Sequence, residues 1–346
     1  MFCKAADRTN SGEAEAVVGS LAADWEIRVV DLDYMAVGGG SYHWVATDVN
    51  GARCFVTVDD LDTKPWLGDT RDSVFDGLTR AFDTALALRE SGLDFVLAPT
   101  PTTSGETSRR IGPRYAVAVF PFVHGRAGEF GRYTPAERTG VYEMLADLHR
   151  ATPTVASSAM RIGVELPGRR YLEDGLRELN QPWVGGPFSE PARRALATHA
   201  SDVTDLIALA DRLAADVTSR GSELVITHGE PHAANVLTDG EDRWLIDWDT
   251  VALAPPERDL WMLDEVDDDG AGAATYVDAT GHQPDRSALA FFRLTWDLKD
   301  LASFIQVLRS PHDHDEDTEL AYQGVTLCAS SRHRWAALLD ERDTTG

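Results

Sequence analysis

Between Leu224 and Leu263 the chain gathers residue types that handle phosphate and metal ions. Two short apolar runs, Leu224-Val225-Ile226 and Trp244-Leu245-Ile246, each lead into polar residues. His228, Glu230, His232 and Asn235 follow the first run, and Asp247 and Asp249 follow the second. Thr238-Asp239-Gly240-Glu241-Asp242 between them is a turn signal. The pattern predicts strand, loop, short strand, turn, strand, loop. Such a layout aims a carboxylate, an amide and two further carboxylates at one place. Mg²⁺ is a hard cation that takes oxygen ligands, commonly one or two from the protein and the rest from substrate phosphates and water. Asn235 and Asp247 are of the right type to supply them, and Asp249 extends the set. Glu230 is suited to accept a proton from an attacking hydroxyl.

Glu230 precedes Asn235 by five residues. The same interval separates the catalytic Asp from a metal-binding Asn in the protein-kinase catalytic loop, and Asp247 stands where that scheme has its second metal-binding Asp. The run from His228-Gly229-Glu230-Pro231-His232 to Asn235-Val236-Leu237, followed by Ile246-Asp247-Trp248-Asp249, resembles the signature of the aminoglycoside phosphotransferase family. Leu253-Ala254-Pro255-Pro256-Glu257-Arg258-Asp259-Leu260 resembles its spectinomycin phosphotransferase branch in particular. The resemblance implies an α+β, two-lobed protein-kinase-like fold. An antiparallel-sheet N-terminal lobe over residues 1–120 would bind nucleotide. A mainly helical C-terminal lobe over 121–346 would carry catalysis and the acceptor. The implied reaction moves the γ-phosphoryl group of ATP or GTP, with Mg²⁺, to a hydroxyl of a small cationic molecule such as an aminoglycoside or aminocyclitol antibiotic. Choline and homoserine kinases belong to the same family, so an ordinary metabolite such as choline or a sugar is the alternative acceptor. One departure falls at Glu230, where the family has Asp. The extra methylene moves the carboxylate by about an ångström, a misplacement that can cost roughly 100-fold in rate. A nucleotide-binding pseudokinase is the reading this departure favours; retention of Asn235, Asp247 and Asp249 counts against it.

The upstream elements must present the nucleotide. Trp25–Val30, Gly38-Gly39-Gly40-Ser41 and Tyr42–Thr47 read as strand, glycine turn, strand, and Asn50-Gly51 is a hairpin turn before Arg53–Val58. In the kinase-like reading Gly38 to Ser41 cover the phosphates. Kinases place a lysine on the following strand and pair it with a Glu on the next helix. Here Thr57 stands in the lysine's place, and Thr79 and Arg80 stand where the Glu is expected. Arg80, or Lys64 from the loop, is the candidate replacement, Arg being a good bidentate phosphate ligand. Tyr115–Phe122 is an apolar strand, and Phe120 and Phe122 flank the hinge whose backbone would bind adenine.

Downstream, Thr134-Pro135-Ala136-Glu137 is a helix start, with Val141, Met144, Leu145 and Leu148 on one apolar face. Residues 151–190 read as loop-rich; residues 191–220, 291–308 and 318–338 read as helices. The acid run Asp264 to Asp269 offers Asp264 and Glu265 to a cationic acceptor, although such runs are more often solvated loops. The resemblance adds Trp296 and Asp297 on the C-terminal helix. His228 is expected to hold the loop, and Glu257, Arg258 and Asp259 to form an ion-pair and cap cluster beneath the site. Zinc is set aside: Pro231 between His228 and His232 breaks a helix and no thiolate is near.

Composition narrows the partners. A net charge of −25 argues against nucleic acid and anionic membranes, and fits a cationic substrate or simply a soluble acidic protein. No run of about 18 apolar residues suggests a membrane span. The N-terminal stretch lacks an apolar signal core, and Cys3, Cys54 and Cys328 are scattered; a cytoplasmic protein without a disulfide framework is expected. Of 32 Lys and Arg residues, only Lys4, Lys64 and Lys299 are lysine.

Overall fold

The computed structural model describes residues 11–340 apart from 38–40, 131–132, 222 and 264–270. After helix α1 (Ser11–Asp24), strands β1 (Val29–Met35), β2 (Ser41–Asp48) and β3 (Arg53–Asp60) form a meander; helix α2 (Arg71–Glu90) then precedes β4 (Arg109–Ile111) and β5 (Tyr115–Pro121). The sheet order is β1-β2-β3-β5-β4, with every neighbouring pair antiparallel. The β2–β3 turn closes as its residue types require. Asp48 accepts hydrogen bonds from the Asn50 and Ala52 amides at 2.8 Å each, and Gly51 takes a φ of +81°.

The period-2 alternation of a strand splits the sheet residues between two faces. Val56, Val58, Val117 and Val119 pack with Trp44, Leu21 and Trp25 around α1. Ala116 and Ala118 join Val74, Leu78 and Phe82 of α2 on the other side. Thr57 pairs with Ala118, and Asp59 with Ala116, so both polar residues stand on the α2 face. A helix carrying Leu78 and Phe82 packs there because small alanines leave room for it. The first strand begins later than the sequence pattern suggests. The Trp25 amide still bonds to the Leu21 carbonyl at 3.2 Å, its indole N–H reaches the Thr100 carbonyl at 2.8 Å, and Glu26 turns the chain with a φ of +57°.

The chain continues through β6 (Arg126–Ala127), α3 (Pro135–Arg150) and α4 (Thr152–Val155) to α5 (Arg169–Arg177), α6 (Ser189–Thr198) and α7 (Ala200–Arg220). Short strands β7 (Val225–Thr227), β8 (Val236–Asp239), β9 (Asp242–Leu245) and β10 (Ala252–Ala254) follow, then α8 (Glu257–Leu260), α9 (Ala271–Thr280), α10 (Arg286–Arg309), α11 (Glu316–Ala329) and α12 (Ala336–Asp340). β6, β8 and β9 form one small sheet, and β7 pairs with β10. The expected strand at 93–99 reduces to a single bridge, Val96 to Leu245. The expected closing helix over 318–338 breaks into α11, a 3-10 segment Ser331–Trp335 and α12.

The described residues fall into two compact units. The first joins those of Cys3–Ile162 to those of Glu223–Pro284, so the five-stranded sheet and the motif-bearing loops belong together. The second joins those of Gly163–Ser222 to those of Asp285–Gly346. Its core lies where α10 packs on α7 and α5, with Leu206, Leu298 and Ile305 fully or almost fully buried. Among the described residues no helix is long and apolar enough to cross a membrane.

On the α2 face of the sheet Leu78 has 0% exposure. Leu78→Ala is expected to lower unfolding free energy by about 3 kcal/mol, the usual cost of such a cavity; chemical denaturation measures it.

Candidate active site

β7 ends at Thr227, and the next residues are held by one carboxylate. Asp259, with 0% exposure, accepts the Gly229 amide on Oδ1 at 2.6 Å and the His228 amide on Oδ2 at 2.9 Å. His149 on α3 adds its Nε2 to the same Oδ2 at 3.1 Å and binds the Tyr276 hydroxyl through Nδ1 at 2.7 Å. Burial pushes the Asp259 carboxyl up, but His149, Arg258 and His228 leave it net below the usual carboxylate range. Gly229 adopts a φ of +99°, and a Cβ there would stand 2.2 Å from the Arg258 guanidinium. Arg258 in turn donates to Thr227 Oγ1 at 2.8 Å and to the Thr250 carbonyl at 2.9 Å. The Glu257-Arg258-Asp259 cluster thus underlies the loop, with Asp259 bonded to the His228-Gly229 backbone.

His228 ties the two polar loops together. Its Nε2–H donates to the Ile246 carbonyl at 2.8 Å, and its Nδ1 accepts the Glu230 amide at 3.3 Å. That pattern needs the neutral ring, and burial pushes its pKa down to about 4. Beyond Glu230 the chain curls: the Glu230 carbonyl accepts the His232 amide at 2.8 Å and the Asn235 side-chain amide at 2.9 Å. With its nitrogen so used, Asn235 turns its Oδ1 to the other side. The Ile246 amide bonds to the Asn235 carbonyl at 3.0 Å, which brings the start of the Asp247 loop against Asn235.

Asp247 takes a left-handed backbone, φ +66°, a conformation that Asp tolerates better than most residues. The protein packed around its carboxyl, and then the charges of Asp249, Glu230 and Asp59, push it up to about 8, against the pull of Lys64. Its side chain remains open to water, so the like charges are the firmer ground for that direction. Burial raises the 5%-exposed Asp249 too, and Lys64 works against it. Lys64 is itself 2% exposed, with Nζ 2.5 Å from Asp249 Oδ2 and 3.0 Å from Asp59 Oδ1. Burial disfavours its charge, but Asp249, Asp59 and Asp247 together hold its pKa above the ordinary value. Asp59 Oδ1 also accepts the Ser41 hydroxyl at 2.5 Å, while its buried Oδ2 has no hydrogen-bond partner.

The residues singled out from the sequence fall in several places. Glu230, Asn235, Asp247 and Asp249 lie on adjoining loops of the first unit. Ser41 begins β2 next to Asp59. Thr57 lies on the same strand face as Asp59, its hydroxyl 3.4 Å from His43 Nδ1. Arg80 is exposed on α2, beside a cavity of about 380 Å³ also lined by Phe75, Asp76, Thr79, Asp83 and Ser158. Phe120 packs edge-on against Phe82, ring centroids 5.6 Å apart, and the Arg53 guanidinium sits 3.9 Å over the Phe122 ring. Trp296 and Asp297 belong to α10 in the second unit, where Lys299 lies 5.0 Å over the Trp296 ring and Arg334 is 3.1 Å from Asp297. Gly38, Gly39, Gly40, Asp264 and Glu265 lie outside the described residues. Sequence reasoning passed over Asp59. The available signal was its position two residues after Thr57, on the same face of the strand.

An antiparallel five-stranded sheet followed by loops carrying Glu230, Asn235 and Asp247 defines a small-molecule phosphotransferase with a protein-kinase-like fold. The chain belongs to the phosphotransferase enzyme family (APH), whose sequence pattern matches residues 45–292. Protein StrN of Streptomyces griseus is 29% identical over 270 residues, covering 75% of this chain and 79% of its own length. A spectinomycin phosphotransferase solved with ADP and spectinomycin matches 92% of this chain and 98% of its own, with a TM-score of 0.70 at 15% identity. A microcompartment-associated aminopropanol kinase matches 94% and 98%, with a TM-score of 0.62 at 15% identity. Choline kinase LicA from Streptococcus pneumoniae matches 92% and 99%, with a TM-score of 0.55 at 13% identity. At such identities the structural likeness is one of fold.

His228 gives the site a pH signature. Its folded pKa of about 4 lies below the ordinary histidine value of 6.5, so folding favours the neutral ring. The associated stability is present above pH 6.5 and is lost as pH falls toward 4, by about 3 kcal/mol in all. Denaturant titrations across pH 7 to 4 should show this loss, and His228→Gln should flatten it.

Proposed function

We propose that the protein transfers the γ-phosphoryl group of ATP or GTP to a hydroxyl of a small cationic acceptor of the aminoglycoside or aminocyclitol class. The observation that supports this reading is the pair of loops bound to each other through His228 and Asn235, with the charge of Glu230 acting on Asp247 and Asp249. Glu230 would orient the acceptor hydroxyl and take its proton as the oxygen attacks the γ-phosphorus and the nucleoside diphosphate departs. Positioning by the anchored loop would supply much of the rate.

Mg²⁺ suits the donor set. Four carboxylates, Asp59, Glu230, Asp247 and Asp249, act on one another around the single ammonium of Lys64. The excess negative charge and the orphaned Asp59 Oδ2 favour a cation there. Asn235 Oδ1 and Asp247 would hold it, with Asp249 beside them. Mg²⁺ so bound neutralises phosphate charge. Among the described residues no group of three or more His, Cys, Asp or Glu side chains is placed to hold a metal ion by itself, so substrate phosphates and water would complete the set.

Two findings support the acceptor class: the net charge of −25, which attracts cations, and the fold shared with a spectinomycin phosphotransferase. A cytoplasmic place and a role in antibiotic resistance would follow from it. The aminopropanol and choline kinases of the same fold support a second reading, an ordinary cationic metabolite as acceptor.

The test is nucleoside diphosphate release with ATP and GTP across aminoglycosides, spectinomycin, amino alcohols, choline and simple sugars. Acceptor-dependent release that falls about 1000-fold or more in Asp247→Ala is expected, in line with the loss of charge stabilisation at a phosphoryl group. Glu230→Gln should cost about 100-fold or more through the lost base. Binding of nucleotide without turnover on any acceptor would favour a pseudokinase instead.

A further inference from the structure

We propose that Lys64 is this chain's phosphate-binding lysine and that Asp59 is the acid that aims it, so that the lysine–acid pair of the kinase fold is carried by the end of one strand and the loop after it. The inference deepens the phosphotransferase reading and rests on it. In the usual arrangement the lysine is on the strand and its acid on the following helix. Here the strand carries Thr57 and, two residues on, Asp59 on the same face. The helix carries Thr79 and the exposed Arg80 instead of an acid. The charges are therefore exchanged: the strand supplies the carboxylate and the loop supplies the ammonium.

Three observations point to a ligand-facing role. Lys64 is one of only three lysines in the chain, yet it is 2% exposed. A buried ammonium is costly to desolvate even when paired, so stability alone gives little reason to keep one there. It bridges Asp59 and Asp249, the latter two residues from Asp247. Asp59 also accepts the hydroxyl of Ser41, the first described residue after Gly38 to Gly40. A line of contacts thus runs from Ser41 through Asp59 and Lys64 to Asp249. When nucleotide enters, its phosphates compete with Asp249 for the ammonium, while Asp59 keeps the side chain directed. Positioning of Lys64 by Asp59 also fits α2 carrying Thr79 and Arg80 where the kinase fold has its Glu.

The experiment is calorimetric titration of the full chain with ADP and, separately, with adenosine. Adenosine shares the base and ribose and lacks the phosphates. Lys64→Met should weaken ADP binding about 10- to 100-fold, the range of a charge-assisted hydrogen bond, and leave adenosine binding unchanged. Lys64→Arg should weaken it less, because the charge remains. Asp59→Asn should shift ADP affinity in the same direction by a smaller factor, again sparing adenosine. If ADP and adenosine affinities fall together in Asp59→Asn and Lys64→Arg, the cluster is structural and the proposal is overturned. ADP affinity unchanged in Lys64→Met, or lowered by Arg80→Ala in its stead, overturns it too. Wild-type protein that binds neither ADP nor, in the same titration, GDP sinks the phosphotransferase reading as well, so the two failures are distinct.

Discussion

A carboxylate with no solvent exposure holds the centre of this site. Asp259 accepts two successive backbone amides, His228 and Gly229, and an imidazole from α3. A buried carboxylate is tolerable only when its oxygens are satisfied, and unpaired ones cost several kcal/mol. The constraint therefore runs both ways. Asp259 needs those donors, and the loop cannot leave without exposing it. Glycine at 229 follows directly, because the same loop presses its backbone on Arg258 where any Cβ would collide. Tyr276 completes the cluster through His149, so a helix far along the chain helps fix a loop that begins fifty residues earlier.

The Lys64 cluster is built on another principle. An ammonium and its carboxylates taken out of water pay a desolvation cost that their mutual attraction only partly returns. Replacement by apolar residues of similar volume is often neutral or stabilising, whereas removal of one partner costs about 3 to 5 kcal/mol. Stability alone thus gives little reason for Asp59, Lys64 and Asp249 to meet. An excess of negative charge around one ammonium makes a poor core and, under the proposed function, would suit a cation. Asp259 and the Lys64 group divide the work accordingly: one fixes the backbone, the other sets the charge.

Much of this was legible in the sequence where short-range chemistry governs. The Asn50-Gly51 turn, the Thr134 capping box and the order of the motif residues depend on neighbours a few positions apart. The role of His228 as a loop tie and of Glu257-Arg258-Asp259 as a cluster beneath it were also readable, because the two sequence segments had to meet. Lys64 was harder to place. Its partners Asp59 and Asp249 lie 5 and 185 residues away, and no local pattern announces a buried lysine. Likewise the stretch at 93–99 reads as a strand by composition, but among the described residues the one bridge it makes is to Leu245. Propensity sets what a segment can do, and the available partner decides.

The Glu at 230 can be weighed against this frame. Its amide is held by His228 Nδ1, and its carbonyl by the His232 and Asn235 donors. With both backbone groups engaged, the Cα has little freedom to retreat and absorb the extra methylene. The added length then has to appear at the carboxylate, about an ångström nearer the acceptor than an Asp would reach. In the proposed reaction that length alters where the hydroxyl must sit more than whether it can be deprotonated, since the acid–base chemistry of Glu and Asp is alike. A shifted acceptor position is a statement about substrate shape. Under that proposal Glu230 would belong with the features that select the acceptor.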